Sequence, residues 1–337
     1  MAAGRAVLVR SGGSAPFQVG STLLVADDGR IAGSVSAGCV EGAAVEAVEG
    51  ARRGRYRELV RYGVTDERAA EVGLSCGGVI DVLVEPEVPQ EVLGAAAEER
   101  AMAVATPLPV GRETIEVTRV VVDDAGIRSG SLGDPSADAE LAELTRDVLS
   151  TGISRTVRVG GRDIYVEVVT PTRLVIVGAG DIAVYLGRLA SDLGFMTVVV
   201  DARSAFLTRE RFPEADALLL GWADELADRA GIGPYAHVVV LTHEPRFDDP
   251  ALVVALRRGA RYVGALGSRR THSARLVRLR DAGLGDRELA RIHAPIGLDL
   301  GGHTPSDIAL GILAEIVAEE NRRRLASNPP ERMPALA

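Results

Sequence analysis

The chain has 337 residues, 47% hydrophobic and 4% aromatic, with a formal net charge of −9 and two cysteines. Its length accommodates two domains with cores of Val, Leu, Ile and Ala. The acidic balance argues against non-specific nucleic-acid binding, which needs a basic surface, and the absence of lysine excludes a P-loop or Schiff-base lysine.

No apolar run approaches a membrane span, and "MAAGRAVLVRSGGS" lacks a signal-peptide pattern. Two cysteines do not form a disulfide framework, so the expectation is a cytoplasmic protein with free thiols.

"RAVLVRS" and "STLLVADDGRIAGSV" read as strands, short β-branched runs broken by Gly and Asp. In "VEGAAVEAVEGARRG" the apolar residues Val40, Ala43, Ala44, Ala47 and Val48 fall at i, i+3, i+4, i+7 and i+8, which predicts a helix with one buried stripe. Cys39 stands at its N-terminus, where unpaired N–H groups and the positive end of the helix dipole favour a thiolate. Gly38 beside it lets backbone approach a ligand closely or take positive φ. The second cysteine, Cys76 in "SCGG", precedes the strand "VIDVLVEP", and Gly77 and Gly78 offer two bare amides for a small anion nest. The alternative for both cysteines is a small buried hydrophobe. Neither has a second Cys or a His nearby, so the usual zinc spacings are absent.

The middle of the chain reads as a helix in "PQEVLGAAAEERA", strands in "ETIEVTRVVVDDAG", a helix in "DAELAELTRDVLS" and a hairpin turning at Gly160-Gly161. Thr170-Pro171 marks the expected domain boundary. "RLVIVGAGDIAVYLGRLASDLGFMTVVVDAR" then reads as a βαβ unit: Gly178, Gly180 and Ala183 give the G-x-G-x-x-A fingerprint, and Asp201 stands where a ribose-binding acid belongs. Asp181, at the helix start, places a carboxylate where a pyrophosphate would sit. Alternation continues through "HVVVLTH", "PALVVALRRG", "YVGALGS" and "THSARLVRLRDAG", which predicts a parallel sheet with helices on its faces. In "GALGSRRTHS", Ser268, Arg269 and Arg270 open a helix, an arrangement suited to phosphate or another oxyanion. His243 with Asp248 and Asp249, and His293 with Asp299 and His303, fall in loops after strands and form a candidate metal site. The last helix starts with Thr304 as N-cap, Pro305 at its first position and Asp307 completing the cap.

The expected fold is therefore α/β: an N-terminal α+β domain over 1–170, a C-terminal Rossmann-like parallel-sheet domain over 171–325, and a disordered tail over 326–337. The blocks "GSVSAGCVEGA", "YGVTDERAAEVGLSCGGVIDVLVEP", "VIVGAGDIA" with "VVVDARSAF", "LTHEPRFDDPAL", "YVGALGSRRT" and "RIHAPIGLDLGGHTPSDIALGILAEIVAE" together resemble the XdhC/CoxI family, accessory factors of xanthine dehydrogenase and related molybdenum hydroxylases. Asp181 stands where the family commonly has histidine.

The resemblance implies a non-catalytic chaperone. It would bind molybdenum cofactor (molybdopterin), hold it while its terminal sulfido ligand is installed, and pass it to the hydroxylase apoenzyme. Its other partner would be a cysteine desulfurase or sulfurtransferase, and the protein would be a homodimer. Cys39 and Cys76, with Gly38, Gly77 and Gly78, would meet at one pocket, and the Ser268-Arg269 loop would serve the cofactor's phosphate. A soft metal centre suits a sulfur-lined pocket. Two alternatives stay open: an NAD(P)-dependent oxidoreductase centred on Gly178, Gly180 and Asp201, and an interaction module with structural cysteines.

Overall fold

Strand β1 (Ala3–Gly12) is buried along most of its length because both of its faces are covered, so its side chains alternate between two cores rather than between core and water. The structure, a computed structural model, describes residues 3–12, 17–63, 78–97, 100–123, 125–126 and 128–327. Contacts divide the chain into two units, residues 1–170 with 323–337, and residues 171–322.

In the first unit β1 is followed by β2 (Thr22–Ala26), β3 (Ile31–Gly33), helix α1 (Glu41–Gly54), β4 (Tyr56–Tyr62), β5 (Val79–Glu85), α2 (Gln90–Ala97), β6 (Met102–Pro107), β7 (Arg112–Thr114), β8 (Val120–Asp123), β9 (Arg128–Ser129), α3 (Pro135–Thr151), β10 (Arg155–Val159) and β11 (Arg162–Val169). They form two antiparallel sheets, ordered β3-β2-β1-β5-β4-β7 and β10-β11-β6-β8-β9. Helix α1 lays its stripe of Ala44, Val48 and Ala51 on the first sheet, against Ala6, Leu8, Val82 and Val84. Helix α3 covers the second sheet, with Leu141 and Val148 against Ala105, Ile164 and Val166.

Between the sheets, Val7, Val9 and Leu83 meet Tyr165. Period-two alternation places charged residues in the same layer. Arg5 bonds Glu85 through Nε at 2.8 Å and Glu167 through Nη1 at 2.8 Å, while Arg119 takes the other Glu85 oxygen at 2.7 Å. Buried charge is tolerated here because each carboxylate has a guanidinium partner.

The second unit begins with β12 (Arg173–Val177), α4 (Asp181–Asp192) and β13 (Met196–Asp201), the βαβ unit expected from the glycine fingerprint. It continues through β14 (Ala217–Leu220), β15 (Ala236–Val240), α5 (Pro245–Arg257), β16 (Tyr262–Ala265), α6 (Arg269–Asp281), α7 (Asp286–Leu289), β17 (Ile292–His293) and α8 (Pro305–Ser327). Every pair is parallel and the order is β14-β13-β12-β15-β16-β17, so the direction of winding reverses between β12 and β15. On one face Leu174 and Ile176 pack with Leu186 of α4 and Ile312 of α8; on the other Val175 and Val177 pack with Leu252 of α5 and Leu279 of α6.

Helix α5 begins at Pro245 rather than Pro250, because Glu244 is extended and Pro245 fits the first turn, which needs no N–H. Helix α8 carries the expected reciprocal cap: Asp307 N donates to Thr304 Oγ1 at 3.2 Å, and Thr304 N to Asp307 Oδ2 at 3.1 Å. Among the described residues no helix is long and apolar enough to cross a membrane. The expected tail lies largely outside the described residues.

Candidate functional site

The segment between β3 and α1 closes on one carboxylate. Oε1 of Glu41 accepts hydrogen bonds from the Ser34 hydroxyl, Val35 N at 3.1 Å and Ser36 N at 2.8 Å. Its Oε2 accepts from Ser36 Oγ at 2.6 Å, Gly38 N at 2.7 Å and Val40 N at 3.2 Å. The backbone reaches this arrangement by turning left-handed at Ala37 (φ 63°) and Gly38 (φ 111°), so glycine at 38 serves a positive φ. Burial works against the charge of Glu41, yet the hydrogen bonds from Ser34 and Ser36 outweigh it and hold the carboxyl at about 2.

Cys39 sits on this loop, two positions before α1, as a half-buried free thiol against the α1 core. The amides of Ser36, Gly38 and Val40 on either side of it are occupied by Glu41, so these donors of the loop turn inward to the chain's own carboxylate. No described residue lies within 4 Å of where a Cβ on Gly38 or Gly42, on either side of Cys39, would stand. Gly78 is buried just before β5. Cys76 and Gly77, and with them the expected meeting of the two cysteines, lie outside the described residues. Sequence reasoning missed Glu41; the available signal was an acid in the first helical turn preceded by two serines.

In the second unit the strand ends at the reversal point frame a crevice of about 510 Å³, lined by Gly178, Gly180, Asp201, Arg203, Thr242 and Phe247, with Trp222 stacked on Phe247 at 4.4 Å. Gly178 takes φ 105°, and a Cβ there would fall 2.4 Å from Thr242 Cγ2. Gly180 caps α4 without a side chain. Asp201 occupies the position of a ribose-binding acid, but its acceptors are filled from within: Oδ2 takes Ala179 N and Arg203 Nη2, each at 2.7 Å, and Oδ1 takes Arg203 N at 2.8 Å and Nε at 2.9 Å. A carboxylate offers about four acceptor sites, so Asp201 braces the glycine turn. Burial raises its pKa, but these bonds outweigh burial and leave it below the ordinary value. Asp181 pairs with Arg211 at 2.9 Å, which neutralises the carboxylate expected to repel a pyrophosphate.

Ser268 caps α6, accepting from Thr271 N at 3.1 Å, and Arg269 and Arg270 stand exposed in the first turn. Behind them Arg275, 1% exposed, donates through Nη2 to Asp248 Oδ2 and Leu266 O, both at 3.0 Å, while Thr242 bonds the other Asp248 oxygen. Asp249 pairs with Arg278, and His293 faces Glu315 at 3.3 Å. Of the candidate metal ligands, Asp248 and Asp249 are thus held in ion pairs and His293 faces a carboxylate, and among the described residues no group of His, Cys, Asp or Glu is arranged to hold a metal.

Two family models match: the XdhC Rossmann domain over residues 174–316, and the XdhC and CoxI family over residues 2–63. The chain belongs to the XdhC and CoxI family. Two curated relatives align with it over most of their length. A Bacillus subtilis protein named as a probable subunit of xanthine dehydrogenase is 27% identical across 95% of this chain and 93% of its own length. The molybdenum cofactor insertion chaperone PaoD of Escherichia coli is 28% identical across 92% of this chain and 81% of its own. A Bacillus halodurans crystal structure, described as a xanthine dehydrogenase, superposes with a TM-score of 0.72 over 98% of this chain and 94% of that one at 23% identity, and so shares the fold. The donor set at Cys39 fits a molybdenum–dithiolene group: a soft, free thiol between two glycines that no described residue covers, with the amides of Ser36, Gly38 and Val40 already satisfied.

Proposed function

We propose that this protein is a molybdenum-cofactor accessory chaperone that binds the cofactor and hands it to a xanthine dehydrogenase-type apoenzyme. The observation that carries the reading is the half-exposed thiol of Cys39, held on a loop whose amides at Ser36, Gly38 and Val40 are satisfied and flanked by Gly38 and Gly42, over which no described residue lies. The cofactor is cargo. Cys39 supplies a soft contact to its metal end, and Cys76 supplies a second. On this reading the protein holds the cofactor while a cysteine desulfurase or sulfurtransferase installs the terminal sulfido ligand, acts in the cytoplasm, and works as a homodimer without turnover chemistry of its own. PaoD, named as an insertion chaperone and similar over most of both chains, supports the role.

The alternative, an NAD(P)-dependent oxidoreductase, has the crevice and its glycine turn in favour. The filled acceptors of Asp201 count against it, because a ribose diol would have to displace Ala179 N or Arg203.

The deciding experiment is anaerobic loading with molybdenum cofactor, followed by molybdenum and pterin content of the wild type, Cys39→Ala and Cys76→Ala. Near-stoichiometric retention by the wild type, lost on substitution in a folded variant, is expected. A wild type that retains none, while apo-hydroxylase in the same mixture takes the cofactor up, overturns the reading.

A further inference from the structure

The loop that carries Cys39 is an anion cradle already filled. The amides of Val35, Ser36, Gly38 and Val40 and the hydroxyls of Ser34 and Ser36 all converge on Glu41. The same hydroxyls tie the remaining turns: Ala37 N donates to Ser34 Oγ at 3.1 Å and Val40 N to Ser36 Oγ at 2.9 Å. Successive amides in a left-handed turn, beside a helix start, are the arrangement that elsewhere receives a phosphate or another oxyanion. Here the receiving donors belong to a carboxylate one turn away in the same chain.

We infer that Glu41 is the positioning residue of this loop: it pre-forms residues 34–40 and leaves sulfur, rather than the N–H groups of Val35, Ser36, Gly38 and Val40, as what the loop offers a ligand. This rests on the cofactor-binding reading of Cys39 and sharpens it. The part of the cargo that meets this loop is its soft metal–sulfur end, and its phosphate is bound elsewhere. Positive φ at Ala37 is disfavoured for a residue with a Cβ, so without the carboxylate the loop relaxes and the sulfur becomes more accessible.

The test uses the full chain without cofactor, so that it stands apart from the loading experiment. The rate of iodoacetamide alkylation at Cys39 is read by mass spectrometry of its peptide, for wild type and Glu41→Ala. Inorganic phosphate is expected to leave the wild-type rate unchanged, since no amide of the cradle is vacant. Glu41→Ala is expected to react several-fold faster, and formate, which fits the vacated cradle, to return the rate toward wild type where chloride at equal ionic strength does not. Protection of the wild type by phosphate overturns the inference, as does a Glu41→Ala rate that matches wild type or that formate leaves unmoved. Should Glu41→Ala fail to fold, Ser36→Ala, which keeps the carboxylate but removes a hydroxyl bonded to both Glu41 and Val40, decides instead: a faster rate supports the inference and an unchanged one defeats it. Failure of Cys39→Ala to lose cofactor would strike the chaperone reading alone, leaving the alkylation result to judge Glu41.

Discussion

Arg275 and Asp248 meet at 3.0 Å with their side chains 1% and 3% exposed, joining α6 to α5 beneath the strand ends that frame the crevice. Removing one member strands the other in a medium that solvates charge poorly. Asp248→Ala is therefore expected to destabilise the second unit by about 3–5 kcal/mol. Urea unfolding followed by the fluorescence of Trp222, the only tryptophan of the chain, reports on this unit directly. Adding Arg275→Met should recover part of the loss, because the stranded charge goes with it. A double variant as unstable as the sum of the singles would mean that the pair is not coupled.

The two glycines of the fingerprint play different parts. At Gly178 a Cβ meets Thr242 at 2.4 Å and the backbone has φ 105°, so Gly178→Ala is expected to cost more than the ~1 kcal/mol typical of an unstrained glycine replacement. At Gly180 no described residue lies within 4 Å, and Gly180→Ala is expected to change stability by roughly 0.5 kcal/mol or less. Thermal unfolding of the two variants side by side makes the comparison, and equal melting temperatures would contradict it.

The Rossmann unit was legible because its signals are local: glycine spacing, apolar strands and amphipathic helices agree over short windows, and the parallel order follows from their alternation. The cap of α8 was legible for the same reason, since Thr304 and Asp307 are three residues apart. What sequence could not give were partnerships set by tertiary contact. Arg211 neutralises Asp181 from 30 residues away, and Arg5 reaches Glu167 across 162. Asp201 matched the fingerprint by position, yet its role depends on Arg203 folding back over it, which no spacing rule contains. Glu41 was hidden differently. Its contacts are local, but an acid in a first helical turn is ordinary, and only the loop's left-handed turn at Ala37 and Gly38 converts it into the centre of a cradle.

Asp181 is 77% exposed and its partner Arg211 is 27% exposed, so their ion pair is well solvated. Asp181→Ala is expected to change stability by less than about 1 kcal/mol. Its effect should appear in the salt response: wild-type stability falls slightly more than that of the variant as ionic strength rises, because only the wild type has this pair to screen. Chemical denaturation at low and high sodium chloride checks this, and a loss of several kcal/mol would require a structural role that the pair's exposure does not provide.

Glu41 gives the protein a defined acid sensitivity. Its carboxyl lies near 2 in the fold against an ordinary value of 4.5, through the bonds from Ser34, Ser36 and the loop amides, which outweigh the opposing effect of burial. A group whose folded pKa is depressed adds stability above its unfolded pKa and loses that contribution as pH falls toward the folded value. The contribution is thus complete above about pH 4.5 and fades between 4.5 and 2. Glu41→Gln keeps the shape but removes the charge and turns an amide donor toward N–H groups. At pH 7 it is expected to be less stable than wild type, by on the order of 1–2 kcal/mol once solvent screening of this partly exposed group is allowed for. Urea unfolding by far-ultraviolet circular dichroism, repeated from pH 7 down to the acid limit of the fold, should show the gap between the two proteins narrowing below about pH 4.5. Other carboxylates, including Glu320, which the hydrogen bonds of His237 and Arg261 hold at about 2 against the effect of burial, titrate in both proteins and cancel in the difference. A gap that stays constant down to pH 3 would mean that Glu41 does not enter the cradle as a carboxylate.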